Sequence, residues 1–114
     1  MEKGVITLLD VLGWKGIGQR KKAPIKDLTS LVESINNNAS KIKRGKSANE
    51  SKIIAISDTI IIFTPTDGYN ASEEFEFHGE LCKDAIPSSI KKGIPLEGVT
   101  SFGEIIINES ENIF

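Results

Sequence analysis

An α+β sandwich, with an antiparallel four-stranded sheet and two helices on one face, is what this 114-residue sequence predicts. Three observations carry that reading. Short runs rich in branched aliphatics, at residues 5–12, 53–56, 59–64 and 99–108, have the length and composition of strands. Two longer stretches between them repeat apolar residues at three-and-four spacing, as a helix with one buried face does. The order is therefore strand, helix, strand, strand, helix, strand, which is what a ferredoxin-like βαββαβ domain requires.

The first strand, Val5 to Leu12, is too short and too rich in Val, Ile and Leu for a helix, and it reads as covered on both faces. Gly13, Gly16 and Gly18 follow, interspersed with Lys15, Arg20, Lys21 and Lys22, so a basic glycine-rich loop is expected. Pro24 has the preset φ of a first helical turn. From there Leu28, Leu31, Val32, Ile35, Ala39 and Ile42 mark the buried face of a helix over residues 24–43. Residues 44–51 are polar and form a connection. Residues 53–56 and 59–64 make a hairpin around Ser57-Asp58, closed by Pro65 and Asp67-Gly68. The second helix should bury Phe75, Gly79, Cys82, Ile86 and Ile90, kink or turn at Pro87, and stop at Gly93 before Pro95. Residues 99–108 supply the last strand.

Composition removes several classes of function. The chain is the size of one compact domain. Its net charge of -2 offers no basic field to a nucleic-acid backbone, so nucleic-acid binding is not expected. Cys82 is the one cysteine, which rules out an internal disulfide. There is no secretory signal pattern and no apolar run long enough for a membrane segment, so a cytoplasmic location is the expectation.

Two of the strands each deliver an aspartate where the apolar run gives out, Asp10 and Asp58. A carboxylate withdrawn from water needs a partner, a hydrogen bond or a cation. A right-handed split crossover makes the first two strands parallel and inserts the third between them, antiparallel. Strand one then exits at the same end of the sheet as the hairpin turn, and Asp10 and Asp58 become neighbours beside the glycine-rich loop. Mg²⁺ favours one or two carboxylates plus phosphate oxygens, and loop amides at a helix start suit a phosphate. Phosphoryl or nucleotidyl transfer fits such a corner. The loop is not a Walker sequence, because Gln19 stands where that motif needs lysine.

These residues resemble the class III nucleotidyl cyclase catalytic domain, and especially the bacterial branch that includes the Pycsar anti-phage pyrimidine cyclases. The resemblance rests on Leu9-Asp10-Val11-Leu12-Gly13-Trp14-Lys15-Gly16, on Ile56-Ser57-Asp58-Thr59-Ile60, and on residues 93–104, in that order. It implies conversion of a nucleoside triphosphate to a 3′,5′-cyclic nucleotide and pyrophosphate by a two-metal mechanism, in signalling or antiviral defence. By matching position, Asp10, Asp58 and the carbonyl of Val11 would hold two Mg²⁺ or Mn²⁺ ions. The amides of Leu12, Gly13, Trp14 and Lys15 would face the triphosphate. A homodimer, or a missing C-terminal half, is the expected partner.

Two departures qualify what the resemblance implies. Glu97 precedes Gly98 where many of that branch have arginine. The chain also stops at Phe114, ahead of the strands and helix in which the family carries its base-selecting residues and its transition-state Asn and Arg. Residues 1–114 therefore read as the N-terminal part of a cyclase-like domain, inactive alone, with no catalytic side chain assigned. The alternative is a non-catalytic nucleotide-binding or dimerisation module. Among the other residues, Trp14 reads as packing, Arg20 to Lys22 as a solvated run, and Glu97 and Glu104 as surface carboxylates. His78 reads as a helix-surface residue, having no companion ligand at metal spacing.

Overall fold

The computed structural model describes residues 2–20, 22–42, 50–66 and 71–105. Its elements follow the expected order. Strand β1 is Glu2–Val11, a 3₁₀ turn spans Trp14–Gly16, and two helical segments follow, α1 (Ile17–Arg20) and α2 (Pro24–Lys41). Then come β2 (Lys52–Ile56), β3 (Thr59–Pro65), α3 (Ala71–Lys91) and β4 (Leu96–Ile105). The sheet order is β2-β3-β1-β4 and every neighbouring pair is antiparallel. That is the ferredoxin-like α+β arrangement. The turn segment 14–20, expected as a plain loop, is mostly helical, and Asp67-Gly68, expected to close the hairpin, and Ile106 to Asn108, expected in the last strand, lie outside the described residues.

Period-two alternation decides which face of β1 is covered. Val5, Thr7, Leu9 and Val11 point inward and are buried, while Leu8 and Asp10 are exposed on the outer face. The expectation of a strand covered on both faces thus gives way to a half-exposed strand. On the inner side, Leu9, Val11, Ile60, Ile62 and Leu96 meet Leu28, Leu31 and Ile35 of α2 and Phe77, Leu81 and Ala85 of α3. Burying each such aliphatic or aromatic side chain contributes about 1.5–3 kcal/mol. Helix α2 begins at Pro24 as its sequence implies, carries Asp27 in its first turn and Lys41 in its last, and complements its dipole at both ends.

Helix α3 differs from its sequence pattern. Its buried positions are Glu74, Phe77, His78, Leu81, Ala85 and Ser89, a stripe one residue away from the one hydrophobicity selects. Phe75 is 37% and Ile90 is 61% exposed, and Gly79 faces solvent. The reason lies in the sheet. Its inner face presents the hydroxyls of Thr7, Thr64 and Thr100 beside its aliphatics, so the helix turns toward it the stripe that carries His78. Pro87 is exposed and the helix runs through it without ending. Gly93, at φ 75°, closes the helix in the left-handed conformation open to glycine, and the Ile94 amide returns to the Ser89 carbonyl at 3.0 Å.

His78 is therefore a core residue, with no exposure, and the surface assignment is corrected. Its Nδ1 lies 2.7 Å from Thr7 Oγ1 and its Nε2 lies 2.8 Å from Thr64 Oγ1. Thr7 Oγ1 is in turn 2.7 Å from Thr100 Oγ1, and Thr64 Oγ1 is 2.5 Å from Ser51 Oγ. The hydroxyls of Thr7 and Thr64 belong to the two central strands, and the imidazole bridges them from the helix layer. A ring nitrogen without a partner there would cost about 1–3 kcal/mol, which explains why the seam is satisfied at both ends.

Candidate functional site

Asp10 closes β1 on the outer face of the sheet, with Thr59 of β3 on one side and Glu97 of β4 on the other as its register partners. Asp58 occupies the β2–β3 turn. Its backbone carbonyl accepts the Val11 amide at 2.9 Å, which brings the turn against the exit of β1. The two aspartates expected to be neighbours do share one end of two adjacent strands. They are not buried as the sequence suggests: Asp10 is exposed and Asp58 half-buried. The strand run ends at Asp10 on the uncovered face, so its carboxylate stays in water. One oxygen, Oδ1, accepts the Thr59 hydroxyl at 2.8 Å, which fixes the side chain's direction.

The hairpin that presents Asp58 contains a strained residue. Ser57 has φ 54°, in the left-handed region that costs a side-chain-bearing residue about 1 kcal/mol. Replacing Ser57 with glycine should raise stability by up to about 1 kcal/mol while leaving the turn in place. A urea midpoint that moves up with an unchanged m value is the expected result.

Beyond β1 the chain turns at Gly13, whose φ of 72° starts the 3₁₀ turn of Trp14, Lys15 and Gly16. The Gly16 amide donates to the Gly13 carbonyl at 3.2 Å. The Leu12 amide, expected among the phosphate-facing donors, donates instead to the Pro95 carbonyl at 2.8 Å and ties the loop to the entry of β4. Amides at the start of a helical turn have no intrahelical acceptor, which leaves those of Trp14 and Lys15 as the donors best suited to an anion. The Trp14 side chain packs partly buried against the core, in agreement with a packing role. Lys22 is exposed, and the Lys21 position lies outside the described residues.

The donor set suits a hard cation. Asp10, Asp58 and the Val11 carbonyl offer oxygen alone, and the Val11 side chain is buried in the core, so only its backbone could take part. Among the described residues no three His, Cys, Asp or Glu side chains converge as a metal-holding group. A two-carboxylate corner of this kind matches Mg²⁺, which keeps several waters or phosphate oxygens, better than it matches Zn²⁺. Glu97 and Glu104 are surface carboxylates, and Glu104 lies 3.7 Å from the Lys3 ammonium. Cys82 is half-buried, and desolvation pushes its thiol up from the usual range, which keeps it protonated and unreactive at neutral pH.

No helix among the described residues is long and apolar enough to cross a membrane. Compared with known proteins, the chain matches no family model, no curated protein and no solved structure.

Proposed function

We propose that this domain is nucleotidyl cyclase-like and binds a nucleoside triphosphate through Mg²⁺ or Mn²⁺ at the Asp10–Asp58 corner. The observation that carries the reading is the juxtaposition itself: Asp10 near the end of β1 and Asp58 in the β2–β3 turn, at one end of the sheet, next to the turn that opens the 3₁₀ segment. Divalent ions there would supply charge neutralisation of the triphosphate and activation of the sugar hydroxyl. The residues of this chain would do the positioning. Asp10, held by Thr59, and Asp58 would fix the cations, while the amides of Trp14 and Lys15 would orient phosphate oxygens. In a complete site, with a second copy or a C-terminal half supplying the remaining groups, the outcome would be a 3′,5′-cyclic nucleotide and pyrophosphate.

A second reading, binding without turnover, is favoured by Glu97. It stands directly across from Asp10 on the same exposed face, where that branch of the resembling family often has arginine. A third carboxylate draws in a divalent cation and repels an uncomplexed triphosphate, so binding would depend strictly on metal.

Calorimetric titration of the chain with a nucleoside triphosphate separates the readings. Binding should appear with Mg²⁺, vanish with chelator, and weaken at least about tenfold in Asp10→Asn and in Asp58→Asn, equivalent to about 1.4 kcal/mol or more. Pyrophosphate release accompanying binding supports the cyclase, and binding without release supports the module. Unchanged affinity in both variants would remove the metal role altogether.

A further inference from the structure

The two edges of the sheet are built differently. Strand β2, at one edge, spans Lys52–Ile56 and carries a lysine at its start. Shortness and lysine are the usual means by which an edge avoids pairing with another chain. Strand β4, at the other edge, spans Leu96–Ile105 and contains no Lys, Arg or Pro. Its pairing with β1 runs from Val11↔Leu96 to Glu2↔Ile105 without a slip, so no bulge twists the edge away. Among the described residues no strand pairs with its outer side. Val99 is 62% and Phe102 43% exposed, one on each face of that strand.

The geometry points to the β4 edge as a strand-docking site whose occupant is β4 of a second copy, joined antiparallel about a two-fold axis. Opposed residues in an antiparallel pair share a face, so the axis must pass through a residue and not between two. That requirement settles the charges. Glu97 lies on the outer face with Asp10, whereas Glu104 lies on the inner face, and the two can never be opposed. An axis through Thr100 sets Glu97 across from Gly103, Val99 across from Ser101, and Phe102 across from Gly98, which has no side chain of its own. No two like charges are opposed in that register, in which Leu96 faces Glu104. The outer-face row Ile54–Ile61–Leu8–Val99, which crosses all four strands, would continue into the partner's sheet. A two-fold pair closes the β4 edge of both copies and leaves only the short, lysine-bearing β2 edges outermost, whereas adding an unrelated strand only moves the open edge outward. This inference rests on the fold and is independent of the nucleotide site.

Analytical ultracentrifugation and amide exchange test it on the whole chain. Twice the 12.4 kDa chain mass is expected, with β4 amides exchanging at least about tenfold more slowly at high than at low concentration. The double variant Val99→Lys with Phe102→Lys should return the chain to monomer with an unchanged circular dichroism spectrum, since both side chains are exposed. Leu8→Glu, at the centre of the outer face, should leave the dimer intact. Three results would overturn the inference. One is a monomer at all concentrations, including one whose β4 amides are already slow because the same chain fills the edge. The others are a dimer indifferent to the lysine pair, and a dimer dissolved by Leu8→Glu, which would place the contact on the sheet face.

Discussion

Replacing His78 with leucine should destabilise the domain by about 3 kcal/mol, although leucine is the more hydrophobic residue and the site is fully buried. The imidazole joins the hydroxyl of Thr7 to that of Thr64, at 2.7 and 2.8 Å. Without it each threonine keeps one partner, Thr100 or Ser51, and loses the other to an apolar surface. Leaving buried polar atoms short of a partner costs more than an average hydrogen bond contributes. The same logic predicts non-additivity. Thr7→Val with Thr64→Val in the His78→Leu background should recover about 2 kcal/mol, because the whole seam then becomes apolar. Urea unfolding of the single, double and triple variants measures both numbers. A loss below about 1 kcal/mol for His78→Leu would mean the seam is not holding α3 to the sheet.

The same seam shows where the sequence was legible and where it was not. The four strands, the two main helices and the meeting of Asp10 with the Ser57-Asp58 turn follow from local pattern and from the handedness of crossovers, which act over any chain of this order. The orientation of α3 does not. Hydrophobic periodicity selects Phe75, Gly79, Cys82, Ile86 and Ile90, and those residues are nearly as regular as the stripe that is buried. The choice is made by Thr7, Thr64 and Thr100, far off in the chain, whose inward hydroxyls require a polar partner from the helix. A signal was present: threonines at inward positions of two neighbouring strands, and a single histidine on the helix that crosses them. At the candidate site, residue identity located the carboxylates but not their exposure, since the uncovered sheet face is a property of the packed layers. The Leu12 amide was likewise out of reach, because its acceptor, Pro95, comes from the other end of the fold.

Gly98→Ala should cost about 3 kcal/mol, whereas Gly103→Ala on the same strand should cost nearly nothing. At position 98 an added Cβ would collide with the Leu8 backbone carbonyl and come within 2.5 Å of Leu9 Cδ2. The carbonyl belongs to the adjoining strand and cannot rotate aside, and Leu9 is 1% exposed in a packed core. At position 103 the nearest atom is Ile6 Cδ1 at 4.0 Å, ordinary contact distance. The consequence reaches the carboxylate corner, because Gly98 pairs with Leu9 and the next pair along is Asp10 with Glu97. Relief of the collision would push β4 away from β1 at that end and shift Asp10 relative to Asp58. Metal-dependent triphosphate binding should therefore weaken in Gly98→Ala even at temperatures where the variant is fully folded, and should be unchanged in Gly103→Ala. Loss of stability without loss of binding would show that Asp10 is held by β3, through Thr59, and not by β4.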